Sequence, residues 1–158
     1  MPFGMFKIDD PGDVLKGSKV KLSDDSGEVS LFSLIADYNG FLSRVEKAQD
    51  KDARATLKDL LEKIGDAAGK VKMQLSEDAD KWNRSYWPLV QRAGVVIDPH
   101  AYARPDILLD AWSKIKKAVP SVDDDLHVLD FSRAYRAEAA TRTAELVGGG
   151  ARKMLREN

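Results

Sequence analysis

The sequence predicts an all-α fold: a single-domain helical bundle of about four main helices, one of them long and kinked near Pro88, behind an irregular N-terminal arm. Three observations carry this reading. From Ser30 onward apolar residues recur every three or four positions, which lines them up on one face of a helix with 3.6 residues per turn. No strong strand pattern interrupts them. Prolines and glycines fall mostly between the periodic stretches, where short connections would fold one helix back on the next. The expected organisation is an extended arm over residues 1–28, the bundle over 29–150 and a basic tail over 151–158.

The arm differs from the rest in its breakers. Gly4, Pro11, Gly12, Gly17, Ser18, Ser26 and Gly27 interrupt each apolar run before a helix can nucleate. Within it, Lys19 to Leu22 alternates polar and apolar residues and predicts a short strand. The first helix follows with Ser30 as its cap. Leu31, Leu34, Ile35, Tyr38, Phe41, Leu42, Val45 and Ala48 share a face. Asn39-Gly40 is a hairpin signal in other settings, but the helical period accounts for more of the apolar positions. Gly40 then weakens the helix by about 1 kcal/mol relative to alanine.

The second helical stretch is the longest. Leu57, Leu60, Ile64, Ala68, Val71, Leu75, Ala79, Trp82, Tyr86, Leu89 and Ala93 advance 36 residues in ten steps, the α period and not the 3.5 of a coiled-coil seam. Pro88 must kink or restart it, because proline lacks the N–H the helix needs, and Gly94 closes it. Pro105 suits a first helical turn. Leu108, Ala111, Trp112, Ile115 and Val119 form the next stripe, and Pro120 stops it. Ser121 and Asp124 have the spacing of a capping box. The last helix is expected to turn Val128, Phe131, Tyr135, Ala139 and Leu146 inward and to end at Gly148, Gly149 and Gly150. Gly65 to Gly69 (GDAAG) predicts a narrow point where the alanine-rich last helix crosses closely, with Gly69 facing the other backbone.

Composition bounds the function. The 158 residues are 43% hydrophobic and 32% charged, with a formal net charge of -1, so neither disorder nor a global attraction to nucleic acid or anionic lipid is expected. There is no cysteine, which excludes disulfides, thiol catalysis and thiolate metal sites. No apolar run approaches the roughly 20 residues of a membrane span, and the start has no signal-peptide pattern; a soluble, cytoplasmic protein is the expectation.

The densest chemistry lies between Asp80 and Gly94, DKWNRSYWPLVQRAG. Trp82 and Tyr86 fall on the inward stripe and read as core. Trp87 does not: it is turned about 100° away, on a polar face with Arg84 and Gln91 and flanked by Arg92. An aromatic ring among arginines is the composition of a binding hot spot. These four residues are the candidate partner-binding site.

Other constellations are weaker. His127 has Asp123, Asp124 and Asp130 nearby and His100 follows Asp98-Pro99, but two histidines do not assemble the Glu-x-x-His pairs of bundle metal sites. The carboxylates lie beside lysines and arginines, as solvated ion pairs do. Neither a phosphate-binding glycine loop nor a serine elbow is present. No catalytic residue, cofactor or metal is therefore expected. The leading expectation is a non-enzymatic protein-interaction protein, an adaptor, inhibitor or assembly component, binding another protein or itself. The alternatives are a nucleic-acid-associated protein using Arg133, Arg136, Arg142, Arg152, Lys153 and Arg156, and an enzyme whose site only the fold assembles.

Overall fold

Alternation at Lys19–Lys21 does produce a strand. In the computed structural model, which describes residues 15, 19–23, 27–45, 51–98, 101, 104–122 and 128–157, β1 (Lys19–Lys21) pairs antiparallel with β2 (Glu28–Ser30). Val20 lies opposite Val29, and Lys19 and Lys21 point to solvent while Val20 and Leu22 are buried. Such a hairpin cannot stand alone. It is held by α2 (Lys51–Lys81): the Ser23 N–H and hydroxyl both donate to the Asp66 carboxylate at 2.9 Å, and the Lys70 ammonium donates to the Lys21 carbonyl. β2 runs straight into α1 (Leu31–Val45), where the Ser33 N–H donates to Ser30 Oγ at 3.4 Å, the expected cap.

The remaining elements are a π-helical turn over Trp82–Tyr86, α3 (Trp87–Ala93), α4 (Pro105–Ala118) and α5 (Val128–Glu157). The all-α prediction holds: four main helical segments, the long one interrupted just before Pro88, and a two-stranded sheet are the architecture among the described residues. None of these helices is long and apolar enough to cross a membrane. Gly94 adopts the left-handed conformation (φ 65°) and donates to the Gln91 carbonyl while Val95 donates to Val90. These two hydrogen bonds close α3 as a glycine C-terminal motif does. Pro105 opens α4 and Pro120 follows its end, as their chemistry requires.

The chain sorts into two compact units, dividing inside α2 between Met73 and Gln74 and inside α5 between Thr141 and Arg142. The first unit buries Leu31, Leu34, Ile35, Tyr38 and Leu42 of α1, Leu57, Leu61, Ile64, Ala67, Ala68 and Val71 of α2, and Ala144, Val147, Ala151 and Met154 of α5. Leu61, not Leu60, is the α2 residue that goes inward. Burial also pushes the Tyr38 phenol up to about 12.

Three expectations about the last helix need correction. The triple glycine does not end it: α5 continues to Glu157, and Ala151 and Met154 of the expected tail are buried. Each glycine weakens the helix by about 1 kcal/mol, but packing of the flanking residues carries a helix past weak propensity. Leu146 faces solvent (78% exposed), and the buried line is instead Phe131, Ala134, Ala137, Ala140, Ala144, Val147 and Ala151. The narrow point exists, but not at Gly69, where an added Cβ would meet nothing within 4 Å among the described residues. It lies at Gly148, whose Cβ would stand 2.9 Å from the Ala68 Cβ and 3.3 Å from Arg152 Nη1.

The second unit is built on aromatic rings. Phe131 of α5 lies 5.3 Å from Trp82, 5.5 Å from Tyr86 and 5.2 Å from Trp112, centroid to centroid. Trp82 also meets Tyr135 edge-on at 5.2 Å, and Tyr86 meets Trp112 edge-on at 6.0 Å. Tilted and edge-on pairs are the favoured geometries and add to the area they bury. Leu108, Ala111 and Ile115 of α4 and Val90 of α3 complete this core.

Three outcomes check this account by chemical denaturation. Gly149→Ala, with open space at its Cβ, should gain up to about 1 kcal/mol from helix propensity. Gly148→Ala, one residue away, should lose about 1–3 kcal/mol from overpacking against Ala68; equal effects would mean that the close approach is absent. Trp82→Ala and Trp112→Ala, both buried, should each lose about 3–5 kcal/mol. The third outcome is a pH dependence. The Ser23 N–H, then the Ser23 hydroxyl and Lys70, hold the Asp66 carboxyl below the usual range against an opposing desolvation. A folded-state value below the unfolded one stabilises at neutral pH, and that contribution is lost as pH falls through the folded value. Asp66→Asn should therefore cost about 1 kcal/mol at pH 7 and flatten the acid limb of the stability profile; an unchanged limb would remove Asp66 from the hairpin's attachment.

Candidate functional site

The site residues are placed by a break in helical phase. Pro88 has no N–H to donate to the carbonyl one turn back, and its ring crowds that carbonyl. The chain answers with a π-helical turn: the Trp87 N–H donates to the Trp82 carbonyl, five residues back. One extra residue in a turn delays the inward face by one position. Trp82 and Tyr86 are both buried, and the next inward residue is Val90, where Leu89 and Ala93, both half-buried, were expected. Trp87 is left outside the core, 45% exposed.

Around it the polar face is as the sequence placed it. Arg84, Gln91 and Arg92 are all exposed, Arg84 lying one turn before Trp87 and Gln91 one turn after. Arg84 Nε donates to the Asp80 carbonyl at 3.4 Å, which keeps part of its stem along the helix. The resulting surface offers an amphipathic ring and two guanidinium groups. It can bury an apolar anchor and bind carboxylates or carbonyls around it.

Beneath this face lies a polar tie that sequence spacing does not reveal. Asp130, in the first turn of α5, accepts from the Lys81 ammonium at 2.7 Å and from the Tyr86 hydroxyl. Partial burial alone would raise the Asp130 carboxyl, but the Lys81 and Tyr86 bonds outweigh it and hold it below the usual range. Burial first, and then the carboxylate, push the Tyr86 phenol well above its ordinary value. Asn83 Nδ2 donates to the Ala79 carbonyl at 3.1 Å and to Glu138 Oε2 at 3.3 Å. The π turn is thus tied to α5 from both sides, so Trp87 projects from a fixed platform. Tyr86 and Asp130 stand 44 residues apart, a separation at which only the fold can show that they meet.

Asp123, Asp124, Asp125, His100 and His127, with the Ser121–Asp124 capping box, lie outside the described residues or depend on residues that do. Among the described residues no three histidine or carboxylate side chains converge as a metal site would require. Arg133, Arg136, Arg142, Arg152, Lys153 and Arg156 are all exposed along α5, the first two in the second unit and the other four in the first. Glu145 between them takes the Lys72 ammonium at 3.3 Å, and Glu138 takes Asn83. The chain matches no protein-family profile, no curated protein and no solved structure.

Proposed function

We propose that the protein works by binding another protein, with Trp87 as the anchor and Arg84, Gln91 and Arg92 as its polar rim. It would serve as an adaptor, inhibitor or assembly component and not as an enzyme. The observation that carries this reading is the exposure of Trp87. Trp82 and Trp112 are buried, and the third tryptophan lies off the inward line, exposed at the end of the π turn that precedes Pro88. A large exposed aromatic ring lowers solubility, and proteins concentrate such rings where they meet partners. π turns recur at functional positions.

The flanking chemistry specifies the partner in general terms. Two arginines favour an acidic or carbonyl-rich rim, and their forks bind carboxylates in two-point fashion. The centre of the partner surface should be a shallow apolar pocket that excludes water from the indole ring, since hot spots depend on that exclusion.

Trp87→Ala should leave the denaturation midpoint close to wild type while weakening partner binding by about 2 kcal/mol or more, roughly 30-fold in Kd. Stability and binding are to be measured on the same variant, with proteins captured from the native organism quantified for wild type, Trp87→Ala and the double variant Arg84→Glu, Arg92→Glu. A protein lost from both variants and then titrated as a purified pair supports the reading. A Trp87→Ala protein that unfolds like Trp82→Ala, or an interaction profile indifferent to both variants, would overturn it.

A further inference from the structure

The outward face of α1 carries a second, independent feature in the first unit. A groove of about 460 Å³ runs along it, lined by Ala36, Asp37, Gly40, Phe41 and Arg44 of α1 and by Leu60 of α2. Five of the six residues belong to a single helix face, so the groove has too little wall to enclose a small molecule. Its shape suits a surface laid along it.

Gly40 is the low point. It sits in mid-helix, where glycine weakens the structure, yet no atom among the described residues comes within 4 Å of where its Cβ would be. Neither a positive φ nor an internal close approach accounts for it. Phe41 stands beside it, half-buried, with the Arg44 guanidinium 5.7 Å from its ring centroid.

The charges on this face are complementary to themselves. Asp37 and Arg44, both exposed, are seven residues apart and therefore almost two turns along the same line of the helix. Lay a second copy antiparallel on the first, with a two-fold axis beside Gly40 and Phe41. Asp37 of each copy then meets Arg44 of the other, the two Gly40 backbones approach closely, and the two Phe41 rings come together near the axis. A self-complementary patch of this kind is what a closed two-fold dimer needs.

We infer that the α1 face is a homodimer contact in which Gly40 permits close helix crossing and two Asp37–Arg44 ion pairs set the antiparallel register. This contact is separate from the Trp87 face, so either can hold while the other fails. A single helix crossing is smaller than a standard interface of roughly 1,600 Å², and the dimer is accordingly a weak one, visible at high protein concentration and weakened by salt.

Sedimentation equilibrium of the full chain from micromolar to millimolar protein tests this directly. The wild type should dimerise in that range. Asp37→Arg and Arg44→Asp should each raise the dissociation constant at least tenfold, because each places like charges opposite one another in its own dimer. Mixing the two variants should restore association, since every pair across the mixed dimer is then of opposite sign. Gly40→Leu should abolish dimerisation while leaving the melting temperature of the monomer unchanged or higher, which separates a blocked contact from a damaged fold. A wild type that stays monomeric at millimolar concentration would overturn the inference. So would single variants that associate like wild type, or a mixture that fails to recover.

Discussion

A missing backbone donor at Pro88 governs the second unit. Because residue 88 cannot close an ordinary helical turn, the bond from the Trp87 N–H reaches back to Trp82 and the turn holds one residue more. The insertion sets the inward register: Trp82, Tyr86 and Val90 all lie on the buried side, so the rings can stack around Phe131. Trp87, which ordinary helical phase already places off that side, stays at the surface with Arg84, Gln91 and Arg92. The hydrogen bonds from Lys81 and Tyr86 to Asp130 then fix the turn against α5, and charge-assisted bonds at a partly buried carboxylate are stronger than their neutral counterparts.

The first unit solves a different problem, the seating of α5, whose inward side chains are mostly small, against α2. Where Ala68 meets Gly148 there is no room for even one more methyl group, so the backbones come close enough for alanines to pack well. Small side chains bury little area each, about 25 cal/mol per Å² of apolar surface, but they lose almost no rotamer entropy on folding. The continuation of α5 through three glycines is intelligible on that basis. Local propensity opposes it, and the burial of Ala144, Val147, Ala151 and Met154 on either side outweighs the opposition.

How much of this was legible depends on which side chains held the signal. Large apolar residues at helical spacing identified α1, α2 and α4, the Ser30 cap and the Gly94 terminus, because burial and capping chemistry act locally. Trp87 could be separated from Trp82 and Tyr86 by helical phase alone. The phase after Tyr86 could not be read, because a π turn changes the period without changing the composition; hence Leu89 was expected where Val90 lies. α5 was misjudged for a related reason. Its inward line is nearly all alanine, which carries no amphipathic contrast, so Leu146 drew the predicted stripe to the wrong side. The partners of Asp66 and Asp130 lie 43 and 44 residues away, beyond any spacing rule.

Among the features costly to the isolated chain that nothing among the described residues explains are the two on which the proposals rest. One is an indole ring held in water at Trp87, and the other is a mid-helix glycine at Gly40 with open space above it. They differ in kind. As a proposed anchor, Trp87 would supply area for a partner to bury, and its cationic surroundings would favour a surface unlike itself. Gly40 leaves open space between an acid and a base, Asp37 and Arg44, and in the inferred dimer that face would be matched by a copy of itself. If both proposals hold, the chain carries a self-association contact in the first unit and a partner contact in the second. Two copies of the Trp87 site on one dimer would then raise apparent affinity for any partner that presents its own site twice, without a single added contact.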